Sequence, residues 1–151
     1  MCSVKRGFAV VLFCFFIIPA KAETTNQSEV CLARVIFHEA RGESETGQRA
    51  VARVVFNRMN DARFPNTICG IVYQRRNGVC QFTWVCSSKR TRETGQAWNN
   101  SMFLARLMMI ENDHDHTHGA IFFSRPGRLS LVRYVPTANI GRHQFYRLRQ
   151  N

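Results

Sequence analysis

Two apolar segments joined by a short polar turn constrain the fold of this chain most. Apolar residues recur at helical spacing within residues 30–40 and again within residues 50–59. The turn between them contains Gly42 and Gly47, and glycine favours helix ends. The pattern therefore predicts two helices that meet at this turn, with Glu39 near the end of the first. A carboxyl group beside a buried apolar face can have a raised pKa, which suits a general acid.

The remaining pattern predicts an α+β domain whose helices occupy the first two thirds of the chain. We expect Ser28 to cap the first helix from Glu29, after a flexible polar lead-in at residues 23–27. The second helix is expected to begin after Thr46 or Gly47. The other expected elements are a short helix at residues 67–73, a hairpin or groove-lining loop at 74–84, a long helix at 92–112, and short β-like segments at 120–123, 131–135 and 144–148.

The N-terminal segment is typical of a secretory signal peptide. Two basic residues precede an unbroken apolar run at residues 8–18, and a small-x-small site ends at Ala22. The run is too short to span a bilayer comfortably, although a retained membrane anchor is the alternative. We expect residues 1–22 to be removed, leaving one domain at residues 23–151. The mature protein is then expected in the periplasm or secreted, without stable membrane insertion.

The positive charge of the chain favours polyanionic partners. Cleavage removes Lys5, Arg6 and Lys21, which lowers the formal net charge from +11 to +8. Nucleic acid, anionic lipid and anionic cell wall polymers all fit a basic surface, and export makes nucleic acid the least favoured. A cationic membrane-active protein is disfavoured, because residues 92–112 carry two basic and two acidic residues and no basic face. We therefore expect no nucleic acid partner.

Four cysteines remain after signal cleavage: Cys31, Cys69, Cys80 and Cys86. An even number in an exported domain indicates disulfides, and three pairings are possible. Cys80 and Cys86 are close enough to close a small loop, and Cys31 with Cys69 would tie the first helix to the middle of the chain. A zinc site is the alternative, but the spacing lacks a CxxC pair.

A second candidate metal site is the stretch Asp113-His114-Asp115-His116-Thr117-His118, where imidazoles and carboxylates lie close together. The alternative is a solvated polar loop after a helix, with histidines near the helix C-terminus. We favour the loop, because no partner ligand is identifiable elsewhere in the sequence. We therefore predict neither a metal nor a cofactor.

Four motifs follow one another along the mature chain. They are Glu39-Ala40-Arg41-Gly42-Glu43 with the helical segment at residues 47–58, Arg63-Phe64-Pro65-Asn66-Thr67 continuing to residue 74, Cys80-Gln81-Phe82-Thr83-Trp84, and Ile140-Gly141-Arg142-His143-Gln144-Phe145-Tyr146. In this order they resemble the SleB/CwlJ family of cell wall hydrolases, known from spore cortex-lytic enzymes. Arg142 departs from the family pattern, where asparagine is common, as does Ser87-Ser88, where relatives often carry Asp-Gly.

The resemblance implies a lysozyme-like α+β fold, peptidoglycan as the partner, and Glu39 as the catalytic residue. From the residues alone, Glu39 fits equally well as a helix-end carboxylate paired with Arg34 or Arg41. Glycoside cleavage commonly uses two carboxylates. We predict a structural role for Glu43 instead, bonding backbone amides of the next helix, because Gly42 separates it from the helix that carries Glu39.

Three mechanisms remain open for such a chain. The resemblance favours a lytic transglycosylase, in which one glutamate is both acid and base and the 6-hydroxyl of muramic acid attacks its own anomeric carbon. Hydrolysis as a muramidase or glucosaminidase is the second possibility. A peptidoglycan-binding protein without catalytic activity is the third.

Several further residues are candidates for substrate binding or support. Gln81, Phe82 and Trp84 are expected to line the saccharide groove, since an aromatic face packs on sugar C–H groups and an amide bonds hydroxyls. A place in the core is the alternative for Phe82. Tyr73 fits either role. The remaining candidates are His143 and Tyr146, which would bond substrate or orient Glu39 or be structural, and Arg41 and Asn57, for which we expect supporting roles.

Overall fold

The computed structural model describes residues 23–89, 91–111 and 114–150. The predicted signal peptide at residues 1–22 and residue Asp113 lie outside the described residues. Within the described ranges, no helix has both the length and the apolar character needed to cross a bilayer.

The first two helices meet where the sequence predicts. Helix α1, Thr25–Val35, continues into a π-helical turn, Ile36–Ala40, and α2 spans Glu45–Met59. The predicted flexible lead-in is wrong, because α1 already begins at Thr25. Thr24 caps it: the Thr24 hydroxyl accepts from the Gln27 amide at 3.3 Å, and the Gln27 side chain accepts from the Thr24 amide at 3.2 Å.

The other elements complete an α+β fold. They are α3 Ile68–Val72, β1 Arg75–Arg76, β2 Val79–Cys80, α4 Thr83–Cys86, α5 Gly95–Ile110, β3 Phe122–Ser124, β4 Tyr134–Ile140 and β5 His143–Leu148. Strands β1 and β2 form the predicted hairpin, and the other three form an antiparallel sheet in the order β3-β5-β4.

Strand β4 differs from the predicted segment at residues 131–135. It begins at Tyr134 and extends to Ile140, where it pairs with His143 of β5 across a tight turn. An irregularity in the pairing between Pro136 and Ala138 accommodates the proline, which has no N–H for the ladder. The extent of β4 thus depends on its partner strand.

The core lies between the helices and fixes the end of the first one. Helix α1 packs against α3 and α5, and α2 packs against the π-helical turn and α3. The side chains with no exposed surface include Leu32, Val35, Ile36, Val51 and Val54. Each such side chain contributes roughly 1.5–3 kcal/mol by leaving water. The backbone on both sides of the turn at residues 41–44 is therefore well anchored.

Two disulfides join the four cysteines of the described residues. Cys31 pairs with Cys69 at a Cα–Cα distance of 5.3 Å, and Cys80 pairs with Cys86 at 6.0 Å. The first bond ties α1 to α3, and the second closes the segment that carries β2 and α4. The disulfide prediction is confirmed with this pairing, and the zinc alternative is wrong for these thiols.

Candidate active site

The side chain of Glu39 projects from the π-helical turn that ends the first helix. A π-turn inserts one residue into a helix and is frequent at functional sites. Ile36, Phe37 and Ala40 of this turn are buried. The buried residues therefore anchor the backbone around Glu39, and the sequence pattern did not predict the π-helical geometry.

The carboxyl group of Glu39 is held in a partly dehydrated environment. Its side chain is half-buried, and this burial raises the pKa of Glu39 above its ordinary value. The indole N–H of Trp84 and the positive charge of Arg58 oppose the rise by stabilising the carboxylate. The net effect favours the protonated acid, as expected for a carboxyl group beside an apolar helix face.

Trp84 forms the wall next to Glu39. Its indole ring stacks on the imidazole of His38, with ring centroids 4.3 Å apart and planes inclined by 15°. The Trp84 Nε1 atom is buried and lies outside ordinary hydrogen-bond geometry to any described residue, so its interaction with Glu39 is a loose one. The ring is nevertheless fixed by the stacking, which orients the N–H at the carboxyl group.

A cavity of about 330 Å³ opens in front of Glu39. Glu43 lines the same cavity, although the chain turns between the two glutamates. The other lining residues come from β3, the loop after it and the β4–β5 turn: Phe123, Ser124, Arg125, Arg142 and His143. The site therefore forms where the end of the first helix faces the sheet.

Glu43 is engaged by Arg142. The Arg142 Nε donates to Glu43 Oε1 at 2.6 Å, and the Arg142 backbone amide donates to Glu43 Oε2 at 3.0 Å. These bonds lower the pKa of Glu43, which keeps it ionised. Our prediction that Glu43 bonds backbone amides of the next helix is wrong, because its partner lies in the β4–β5 turn.

Gly141 makes this contact possible. A Cβ atom at Gly141 would lie 2.2 Å from Glu43 Oε2, and the residue has a φ of +58°. Both the close approach and the left-handed backbone require glycine.

His143 and Tyr146 differ in their access to the cavity. His143 is half-buried and lines the cavity, and burial lowers its pKa, which favours the neutral imidazole. Its ring packs edge-on against Phe123 at 5.3 Å. Tyr146 has no exposed surface, and its hydroxyl donates to Gln144 at 2.9 Å. The prediction of direct substrate contact is wrong for Tyr146, whose role is in the core.

Arg58 is a residue of this site that the sequence reasoning missed. It is 3 % exposed, its Nε donates to the Ile121 carbonyl at 2.8 Å, and its guanidinium lies over the rings of Phe64 and Phe82 at 5.4 and 5.5 Å. Burial lowers the pKa of Arg58 to about 10, and the charge of Glu39 opposes this shift. The sequence feature that could have indicated its burial is its position on the apolar stripe of α2, seven residues after the fully buried Val51.

The comparisons with known proteins agree with this geometry. The family model described as Cell Wall Hydrolase matches residues 42–146, a segment that begins three residues after Glu39. This chain belongs to that family.

Curated relatives of this cell wall hydrolase domain are spore cortex-lytic enzymes. The chain is 44% identical over 104 residues to the enzyme from Bacillus subtilis strain 168, and the matched segment covers 68% of this chain and 30% of the relative. It is 34% identical over 104 residues to the enzyme from Oceanobacillus iheyensis, covering 67% and 34%. The chain thus spans about a third of the length of these curated relatives.

Two solved structures show the same fold. The catalytic domain of the Bacillus cereus SleB protein has a TM-score of 0.59 at 27% identity, covering 84% of this chain and all of that one. The catalytic domain of the germination-specific lytic transglycosylase SleB from Bacillus anthracis has a TM-score of 0.62 at 26% identity, covering 85% and 99%. The cell wall hydrolase domain therefore has the expected lysozyme-like α+β fold.

Asn57, for which a supporting role is predicted, bonds to the loop that follows α5. Asn57 donates to Asp115 at 3.1 Å and to the Ala120 carbonyl at 2.9 Å, so it anchors the loop after α5 rather than the site. The Asp115 carboxylate also accepts from the Thr117 and Gly119 amides, in agreement with a structural polar loop. No group of three or more metal-binding side chains occurs among the residues that the structure describes.

The other candidates fall into three environments. Arg41 donates to the Phe37 carbonyl at 3.2 Å, which closes the end of the first helix. Phe82 is 4 % exposed, so the structure favours the core alternative for this ring. Gln81 is half-buried between β2 and α4, and Tyr73 is 42 % exposed in a neighbouring groove.

Proposed function

We propose that this domain cleaves the glycan strands of peptidoglycan as a lytic transglycosylase, with Glu39 as acid and base. The observation that carries the proposal is the half-buried Glu39, whose pKa is raised by burial at the wall of an open cavity. Membership of the cell wall hydrolase family supports peptidoglycan as the substrate. The likeness to a solved lytic transglycosylase supports the reaction type.

The proposed reaction needs one titratable side chain. Protonated Glu39 donates its proton to the glycosidic oxygen as the bond from the muramic acid anomeric carbon breaks. The 6-hydroxyl of the same sugar attacks that carbon, and the Glu39 carboxylate accepts the hydroxyl proton. The products are a new 4-hydroxyl end and a 1,6-anhydro end, and no water is consumed.

The environment of Glu43 supports this single-acid mechanism. Hydrolysis by the usual mechanisms requires a second carboxylate that activates water or attacks the sugar. Both oxygens of Glu43 accept hydrogen bonds from Arg142, and its pKa is lowered. These bonds weaken Glu43 as a base and as a nucleophile, so we propose that it holds the β4–β5 turn at the edge of the cavity.

Two aromatic side chains are our candidates for positioning the sugar. We propose that Trp84 packs on the saccharide and that neutral His143, in the wall of the Glu39 cavity, bonds a hydroxyl or acetamido group. Gln81 is a candidate for contact at the rim. The stacking of Trp84 on His38 at 4.3 Å supports the role, since a fixed ring loses little freedom on binding.

Product analysis with a matched variant tests the proposal. Wild-type protein is expected to release 1,6-anhydro-muramyl fragments from purified sacculi. Glu39→Gln is expected to lower the rate by at least about 100-fold, because it removes the acid with little change of shape. Glu45→Gln, which changes an exposed carboxylate on α2, serves as the control and should retain activity.

Each competing function predicts a different outcome. Fragments that carry added water would support a muramidase or glucosaminidase. Binding of sacculi without release of fragments, and without a difference between wild type and Glu39→Gln, would identify a peptidoglycan-binding protein.

We also propose that the domain at residues 23–151 is exported, with cleavage of the signal peptide after Ala22. The two disulfides support this location, since such bonds persist in oxidising compartments such as the periplasm. Intact-mass measurement of protein recovered from the cell envelope should give an N-terminus at Glu23. An N-terminus at Met1 would refute it.

A further inference from the structure

A second groove is lined by Trp84 and by His38, the residue before Glu39. It has a volume of about 690 Å³, and its walls include His38, Tyr73, Trp84 and Val85. His38 precedes Glu39 in the π-helical turn, and the Trp84 ring stacks on His38. The groove therefore lies beside the turn of the chain that carries the proposed acid.

The groove is positively charged. Arg75, Lys89 and Arg92 line it, are exposed, and form no ion pair with any residue that the structure describes. Its one acidic residue, Glu93, is already engaged by Arg34 at 2.9 Å and His38 at 3.2 Å. Three cations without carboxylate partners therefore face the groove.

We propose that this groove binds the carboxylates of the peptide stems attached to muramic acid. The inference rests on the proposed function and names the form of peptidoglycan that the site prefers. The sugars of the glycan strand are neutral and offer no negative charge to the three cations. A peptide stem, by contrast, carries several carboxylates. The side chains of Val85 and Tyr73 provide apolar surface for the carbon chains between those carboxylates. Such a groove selects strands that carry peptides with free carboxylates.

The test compares two forms of one substrate. Soluble glycan strands that retain their peptide stems are acetylated on free amines and then divided. In one half, the peptide carboxylates are converted to primary amides with carbodiimide and ammonium chloride, which removes the charge and retains the peptide. We measure kcat/KM on both forms and take their ratio as the preference for charged stems.

The wild-type ratio is expected to lie between about 8-fold and about 125-fold in favour of the charged stems, the product of three exposed ion pairs of about two- to fivefold each. Arg75→Gln and Lys89→Gln should each lower the ratio by about two- to fivefold, and the triple variant with Arg92→Gln should bring it near one. The ratio should also fall with added salt, because exposed charges are screened. Arg128→Gln, an exposed arginine outside the groove, is the control for net charge and should leave the ratio unchanged.

The outcomes separate this inference from the proposed function. Equal cleavage of both substrates by wild type, or a fall in the ratio for Arg128→Gln as large as for Lys89→Gln, would overturn the peptide groove and leave the proposed function standing. Absence of cleavage of both substrates would overturn the proposed function and the inference with it.

Discussion

The Cys31–Cys69 disulfide should contribute more stability than the Cys80–Cys86 disulfide. The first closes a loop over a sequence separation of 38, and the second over a separation of 6. A cross-link removes conformational entropy from the unfolded chain in proportion to the logarithm of loop length. At 25 °C this relation gives about 3.9 kcal/mol for the longer loop and about 2.2 kcal/mol for the shorter one.

The perturbation is paired alanine substitution. Cys31→Ala with Cys69→Ala should lower the free energy of unfolding by about 4 kcal/mol, a large share of the roughly 5–15 kcal/mol of a typical domain. Cys80→Ala with Cys86→Ala is the matched control. We expect the two double variants to differ by about 1.6 kcal/mol. The difference is more informative than either value, because both variants remove one disulfide and two sulfur atoms.

Urea denaturation of residues 23–151, followed by tryptophan fluorescence, measures both free energies of unfolding. The wild type with and without reductant should bracket the two variants, since reduction breaks both bonds. Equal losses for the two double variants, or a larger loss for the short loop, would refute the chain-entropy reasoning. It would indicate that local packing around the sulfur atoms dominates.

Substitutions of Trp84 and of Gly141 test two further interactions of the site, one with Glu39 and one with Glu43. Trp84→Phe removes the indole N–H that lowers the pKa of Glu39, so the pKa should rise further above 4.5. The acid must be protonated, so activity is lost as the pH rises through the pKa of Glu39. In the Trp84→Phe variant, the alkaline limb of the kcat/KM profile should therefore lie at higher pH than in the wild type. A shift of this limb to lower pH would contradict the assignment. Gly141 and Gly127 both have a left-handed backbone conformation, which disfavours a residue with a Cβ atom. Gly141→Ala and Gly127→Ala should therefore each lower the free energy of unfolding, measured by thermal denaturation, by about 1–2 kcal/mol. Of these two variants, only Gly141→Ala places a Cβ atom against Glu43. It should therefore lower the free energy of unfolding by about 1 kcal/mol more than Gly127→Ala and should also lower the activity. Equal effects of the two variants would mean that Glu43 moves freely.

Local sequence signals predicted much of this protein. The spacing of apolar residues at 30–40 and 50–59 predicted two helices, and Gly42 predicted the turn that leaves Glu39 at a helix end. Helical periodicity depends on neighbours three and four residues apart, so it is visible in the sequence. The four family motifs added the lysozyme-like form of the α+β fold and the catalytic role of Glu39, which no periodicity identifies as an acid.

The tertiary structure alone decided how the site is assembled. Glu43 and Arg142 lie 99 residues apart, and their contact depends on how the sheet packs against the helices. The burial of Arg58 and the extent of β4 likewise follow from partners distant in the chain. Short-range patterns set which residues face inward, but they carry no information on which inward faces meet. The sequence by itself therefore determined the helices and the candidate acid, and packing determined the environment in which that acid is protonated.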